Sequence, residues 1–103
     1  GPLKRRHVSF TFTARQHVAR EKAWWLETRD HPEFSAEELE QALKVVAGLP
    51  GAGTIYAASS VRGVRRVYLR RVGLHLYYTF DDDTILIRAL WGAHRARGPQ
   101  LEP

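Results

Sequence analysis

Residues 64–91, VRRVYLRRVGLHLYYTFDDDTILIRALW, decide the fold. This stretch contains three strand-like runs, residues 64–70, 74–80 and 84–91. Gly73 separates the first two runs, and three consecutive aspartates separate the last two. Glycine and aspartate are typical turn residues, and connections this short join neighbouring antiparallel strands. The stretch therefore predicts a three-stranded antiparallel meander.

The residues before residue 14 predict one more strand and the start of a helix. Residues 8–12 alternate apolar and polar side chains, which is typical of a strand with one buried face. The period changes at Thr13, which can form a capping box with Gln16. We expect the helix to run to about Arg29, since apolar residues follow at helical spacing.

A second helix is predicted after Pro32, which prevents easy continuation of the first. Ser35 and Glu38 have the spacing of a capping box, and Phe34 can contact Leu39 across the cap. One face of this helix is apolar: Leu39, Ala42, Leu43, Val46 and Ala47. Such a face must pack on another element.

The order of these elements predicts an α+β fold, βααβββ. We expect an antiparallel sheet with an N-terminal helical hairpin packed on one face, because this satisfies every apolar stripe. Residues 48–60 are rich in Gly and small residues and predict a loop, with a short extension at residues 54–57. In the run 74–80, the side carrying His75, Tyr77 and Thr79 is the polar one, so that face is expected to be partly open.

Length and composition limit the classes of protein that fit. The 103 residues suffice for one domain, expected over residues 8–101, after an N-terminal extension over residues 1–7 that includes a tag remnant. The lack of cysteine excludes disulfides and thiolate metal sites. No apolar run suits a membrane or a signal peptide, so a cytoplasmic protein without membrane contact is expected. The three aspartates fit a solvated turn better than a metal site, and no cofactor motif is present.

The charge balance predicts an acidic partner. The chain has 16 Lys and Arg against 11 Asp and Glu, and a net charge of +5. From residue 61 onward it contains eight arginines and no lysine. The planar guanidinium group matches phosphate and carboxylate oxygens, although single arginines also protect sheet edges from aggregation. The residues predicted to bind a target or nucleic acid are Arg62, Arg65, Arg66, Arg70, Arg71, Arg95 and Arg97.

Two histidines are candidates for catalysis. His75 falls on the polar face of the sheet, and His94 follows the last strand, whereas His7, His17 and His31 are interpreted as terminal, helix-surface and loop residues. Metal-independent RNA cleavage needs a base, an acid and a cation on the phosphate. The residues that would fill these roles are Arg70, His75, His94 and Arg95.

An ordered series of segments resembles the RelE/ParE superfamily of bacterial toxins from type II toxin-antitoxin pairs. The segments are Val-Ser-Phe-Thr-Phe at residues 8–12, Phe34-Ser35, Leu49-Pro50-Gly51, Gly63-Val64-Arg65-Arg66, residues 69–78 and residues 85–95. The resemblance covers about residues 8–101 and implies the same βααβββ sheet-and-hairpin fold. It also implies a cognate antitoxin as partner, an oligomeric toxin-antitoxin complex, and a role in plasmid stabilisation or growth regulation.

The superfamily has two functional branches. RelE-like members cleave mRNA on the ribosome with basic residues on the sheet and a C-terminal tyrosine or histidine, whereas ParE-like members poison DNA gyrase. Arg70 matches a RelE-like strand arginine, and Arg95 is a candidate match for another. However, no tyrosine follows Tyr78, and the lysines frequent near the second strand of RelE-like enzymes are missing. Residues 90–99 look more like the ParE-like branch.

Three hypotheses follow from the sequence. The first is a ParE-like toxin that poisons DNA gyrase by binding, for which no catalytic residue is required. The second is a RelE-like ribosome-dependent mRNA endonuclease that uses Arg70, Arg95 and one of His75 or His94, where His94 could replace the missing tyrosine. The third is a non-toxic basic binding module with the same fold.

Overall fold

The computed structural model describes residues 5–28 and 32–102. Its helices are α1 (Phe12–Thr28) and α2 (Pro32–Gly48), followed by a 3-10 turn (Pro50–Ala52). Its strands are β1 (His7–Phe10), β2 (Thr54–Ile55), β3 (Arg65–Leu69), β4 (Leu74–Phe80) and β5 (Thr84–Gly92). The predicted helix end near Arg29 and the interpretation of His31 lie outside the described residues. In the described ranges, no helix is long and apolar enough to cross a membrane.

Within these residues the strands form one sheet in the order β1-β5-β4-β3-β2. The predicted meander is confirmed, since β3, β4 and β5 pair antiparallel, and β2 adds to β3 in the same sense. The expectation of an entirely antiparallel sheet is wrong at β1, which pairs parallel to β5. Both helices and three strands separate β1 from β5 in the chain, so no tight turn imposes an antiparallel orientation on this pair.

The first helix begins at Phe12, so its N-cap is two residues earlier than the predicted Thr13 and the Thr13 capping box is wrong. The Oγ1 atom of Thr11 accepts a hydrogen bond from the backbone N–H of Ala14 at 3.0 Å, which is the geometry of an N-cap. Thr11 also donates its backbone N–H to the carbonyl oxygen of Ile87. The Thr13 hydroxyl instead donates to the carboxylate of Glu102. The cap is therefore set by the end of β1 on the sheet.

The Ser35 capping box is also wrong, because α2 begins at Pro32 and Ser35 lies inside the helix. Proline is favoured in the first helical turn, where its missing N–H costs nothing. The Glu38 carboxylate accepts hydrogen bonds from the backbone N–H groups of Arg71 and Val72, at 3.1 and 3.2 Å. It thereby joins α2 to the β3–β4 turn. The side chain of Phe34, predicted to contact Leu39, lies outside the described part of the chain.

The helical hairpin packs on one face of the sheet, as predicted. The buried residues of this core are Ala14, Leu39, Val46, Leu69, Leu74, Leu76, Tyr78, Ile85, Ile87 and Leu90. The predicted apolar face of α2 is confirmed, since Ala42 and Leu43 pack against the same core and Ala47 is buried. We call this side of the sheet the covered face and the other side the outer face.

The outer face is less open than the alternating pattern predicts. Tyr77 is only 2% exposed, and it forms a second buried cluster with Val64 and Ala89. Tyr56 from the loop after β2 and Leu101 from the C-terminal tail pack against this cluster. The loop and the tail therefore cover part of the outer face, while Tyr68 remains 52% exposed.

The Tyr78 hydroxyl joins the sheet to the segment that follows α2. It donates a hydrogen bond to the carbonyl oxygen of Pro50 at 2.6 Å and accepts one from the Gly53 N–H at 2.9 Å. A Cβ atom at Gly53 would lie 2.5 Å from the Tyr78 hydroxyl oxygen, so this position requires glycine. Burial raises the pKa of Tyr78 above its usual value, so the hydroxyl stays protonated and keeps donating.

We expect Tyr78→Phe to lower the free energy of unfolding by about 1 to 3 kcal/mol, because it leaves the buried Gly53 N–H and the partly buried Pro50 carbonyl without this partner. Chemical denaturation measures the change. Tyr68→Phe is the matched control, since Tyr68 is largely exposed and its loss of a hydroxyl should have little effect. Equal destabilisation by the two variants would contradict this role of the Tyr78 hydroxyl.

Candidate functional site

The outer edge of β5 is shared between β1 and α1. The pairing of β1 with β5 ends at Phe10 and Ile87. Beyond that point α1 lies along the edge, and Leu90 donates its backbone N–H to Nδ1 of His17 at 3.2 Å. His17 is 8% exposed, so its interpretation as a helix-surface residue is wrong. The helix therefore supplies an acceptor where the sheet has no further strand.

His17 is held in its neutral form. Burial lowers its pKa from the ordinary value of 6.5, and the positive charges of Arg20 and Arg95 lower it further. Only the neutral ring keeps Nδ1 free to accept the Leu90 N–H, so the same cause preserves this hydrogen bond. Two guanidinium groups are therefore close enough to act on one buried imidazole.

The indole of Trp91, at the end of β5, organises these cations. Its ring lies 5.3 Å from that of His17, and its Nε1 donates to the carbonyl oxygen of Arg97 at 2.8 Å. The guanidinium carbon of Arg95 lies 4.0 Å from the Trp91 ring centroid, and that of Arg20 lies 5.4 Å from it. Cations at these distances are attracted to the face of the ring. One indole thus holds two arginines from different elements.

These arginines belong to an open cavity of about 460 Å³ between α1, the β3–β4 turn and the end of β5, which we call the arginine-tryptophan cleft. The side chains that define it are Arg20, Trp24, Trp25, Arg71, His94 and Arg95. The carbonyl oxygen of Gly73 accepts the N–H of Ala93 at 2.9 Å, which joins the turn to the segment after β5. Gly73 has a φ of +70°, which glycine adopts without strain.

The predicted binding arginines do not form one patch. Arg71 and Arg95 line the cleft. Arg65 donates to the carbonyl oxygen of Gly53 at 2.8 Å at the β2 end of the sheet. Arg66 lies on the outer face, with its guanidinium carbon 5.1 Å from the Tyr56 ring and 5.9 Å from the Tyr77 ring. The others are exposed: Arg62, Arg70 and Arg97.

The four residues considered for RNA cleavage lie in different surroundings. His94 and Arg95 line the cleft. His75 lies on the outer face, with its ring 5.3 Å from that of Tyr68 and 6.0 Å from that of Tyr77. Burial, and then the charge of Arg66, lower the pKa of His75. Arg70 is exposed in the turn after β3 and does not line the cleft.

Arg20 and Trp24 were missed in the sequence analysis. Their spacing predicts that they lie together, because residues four positions apart on a helix share one face. Arg20 and Trp24 have this spacing. What the pattern does not reveal is that this face of α1 lies beside the end of β5, which depends on the parallel pairing of β1.

The fold has a solved counterpart. No family model matches the chain, and no curated protein matches it. A chain in the structure of the chromosomal ParDE TA system from P. aeruginosa is similar, with a TM-score of 0.70 and 14% sequence identity. The match covers 88% of this chain and 99% of that chain. A likeness at this identity is one of fold, and it confirms the RelE/ParE-like fold expected from the sequence.

We expect the protein to lose stability as the pH falls below 6.5. The pKa of His17 is lower in the folded than in the unfolded chain, so the unfolded state binds protons first and acid favours unfolding. His17→Asn should weaken this pH dependence, because an amide oxygen can accept the Leu90 N–H without titrating. It should not abolish it, since the pKa of His75 is lowered too.

Urea unfolding of the wild type and of His17→Asn over a series of pH values measures how the free energy of unfolding depends on pH. His94→Asn is the control, because His94 is exposed and the His17–Leu90 hydrogen bond remains. An unchanged pH dependence in His17→Asn would show that the imidazole does not titrate with folding.

Proposed function

We propose that this protein is the toxin of a type II toxin-antitoxin system, that it poisons DNA gyrase as ParE-like toxins do, and that a cognate antitoxin neutralises it. The observation that carries the proposal is the fold likeness to a chain of a ParDE TA system over 88% of this chain. The C-terminal residues 90–99, which resemble the ParE-like branch, support the choice of target. A cytoplasmic location is part of the same proposal.

The placement of the histidines favours binding over RNA cleavage. Metal-independent cleavage needs a base, an acid and a cation around one phosphate. Within the described residues only His94 and Arg95 of the four candidates line a common cavity. His75 lies among tyrosine rings on the outer face. Poisoning of an enzyme by binding requires no such convergence.

The distribution of charge supports a macromolecular target. Arg62, Arg70 and Arg97 are exposed, and Arg71 and Arg95 line an open cleft. With a net charge of +5, these groups favour encounter with a negatively charged assembly such as gyrase on its DNA.

The helical hairpin offers a place for the antitoxin. A groove of about 330 Å³ has an apolar lining that includes Phe10, Val18, Leu39 and Leu43. An amphipathic helix or an extended segment can bury apolar side chains in such a groove. Acidic residues of the same partner would be attracted to the basic surface. We therefore expect an antitoxin with an acidic, partly apolar toxin-binding segment.

A gyrase assay tests the proposed target. The purified protein should inhibit supercoiling and accumulate cleaved DNA, and a defined mRNA on ribosomes should stay intact. Arg70→Ala with Arg95→Ala should weaken the gyrase effect, because each removes a basic group that favours encounter with a negatively charged assembly. Arg15→Ala is the control for loss of a basic group elsewhere and is compared with each single substitution, since Arg15 is exposed on α1 and outside the predicted set.

Two outcomes would contradict the proposed function, and a third would contradict the placement of its surface. Codon-positioned RNA cuts that disappear in His94→Ala would establish the RelE-like endonuclease instead. Inactivity in both assays, with growth unaffected by expression, would indicate a non-toxic binding module. An unchanged gyrase effect in the double variant would show that the target surface lies elsewhere.

A further inference from the structure

We propose that the arginine-tryptophan cleft is a binding site for a nucleoside phosphate, in which arginines bind the phosphate and an indole stacks on the base. Its volume of about 460 Å³ falls in the range of small-molecule sites. The inference concerns a ligand of the cleft and does not depend on the proposed toxin function.

The first argument is the excess of positive charge. Arg20, Arg71 and Arg95 line the cleft, and among its described lining residues Glu21 is the one carboxylate. Arg20 and Arg95 approach the same Trp91 ring although their charges repel, and both act on the nearby His17. An anion bound in the cleft would offset these positive charges. Guanidinium groups bind phosphate through paired, charge-assisted hydrogen bonds.

The second argument is the exposed aromatic surface beside these cations. Trp24 is 44% exposed, and its ring meets that of Trp25 edge to face, at 5.4 Å and 80°. Both indoles line the cleft. Nucleobases stack on tryptophan faces, and such stacking tolerates any base. The cleft therefore has an apolar surface for a base next to cations for a phosphate.

The combination of arginines and indoles favours a nucleoside phosphate over an acidic peptide or inorganic phosphate. A carboxylate of an acidic peptide would engage the arginines and leave the indoles unused. Inorganic phosphate would do the same. A nucleoside phosphate uses both groups at once, and it is the chemistry that best fits the cleft. The nucleotide has two possible sources, a free mononucleotide or one unit of a single strand.

Titrations observed by NMR test the site through the three indole N–H signals of Trp24, Trp25 and Trp91. The probes are ADP, inorganic phosphate, a short single-stranded oligothymidylate and polyglutamate. We expect ADP or the oligothymidylate to shift the Trp24 and Trp25 signals and to bind at least roughly tenfold more tightly than phosphate, since stacking adds to the ionic contact. Whichever of the two binds more tightly identifies the source.

Variants assign the two halves of the site. Arg20→Gln should weaken binding of the nucleotide and of phosphate roughly tenfold, because a charge-assisted hydrogen bond is lost. Trp24→Leu should weaken nucleotide binding and leave phosphate binding unchanged. Arg15→Gln, on the same helix and with the same change in charge, should alter neither. Unchanged thermal unfolding would show that each variant is folded.

Three results would overturn the proposal. Equal weakening by Arg15→Gln and Arg20→Gln would indicate nonspecific attraction to a basic protein. Tight binding of polyglutamate without nucleotide binding would make the cleft a site for an acidic peptide. Failure of every probe to shift the indole signals would show that the cleft binds no such anion. None of these results bears on gyrase poisoning, which the supercoiling assay measures separately.

Discussion

The hydrogen bond from the Leu90 N–H to the His17 imidazole is the contact on which the arrangement of the charged surface depends. A strand edge that carries an unpaired, buried N–H is costly, and β1 is too short to cover all of β5. The fold meets this need with α1, whose N-cap at Thr11 is itself tied to the Ile87 carbonyl. The Thr11 contact fixes the start of α1 beside Ile87, and the His17 contact fixes its next turns beside Leu90. The second half of the helix therefore lies beside the end of the sheet.

The position of α1 determines what the end of the sheet displays. Arg20 and the two tryptophans come from the helix, Arg95 follows β5, and Arg71 comes from a turn that Glu38 holds against α2. Three parts of the chain therefore bring positive charge to one cleft. The outer face is different, because Tyr56 and Leu101 cover part of it and the Arg66 guanidinium lies near the Tyr56 and Tyr77 rings. Of the two surfaces, the cleft is the one with cations beside an exposed indole, that of Trp24.

The parts of the structure that the sequence predicts depend on interactions between residues close in the chain, whereas the other parts depend on contacts between residues far apart in it. Strands β3 to β5 follow from the local alternation of side chains, and the apolar face of α2 follows from helical spacing. Gly73 and the three aspartates mark the turns between the strands. The Thr13 capping box is wrong because Thr11, placed by its bond to β5, is the N-cap instead. The Ser35 box is wrong because α2 begins at Pro32, and Glu38 binds the β3–β4 turn. The parallel pairing of β1, the burial of His17 and the convergence of Arg20 with Arg95 likewise depend on contacts that local sequence does not encode.

Amide hydrogen exchange at Leu90 is the most direct test of this account. The Leu90 N–H should exchange as slowly as the amides of the β4–β5 ladder in the wild type, because His17 accepts its hydrogen bond in the folded protein. In His17→Ala, its exchange should become faster than that of the ladder, while the ladder amides keep their relative protection. Fast exchange of Leu90 in the wild type, or no selective change in the variant, would contradict the central place given to this contact.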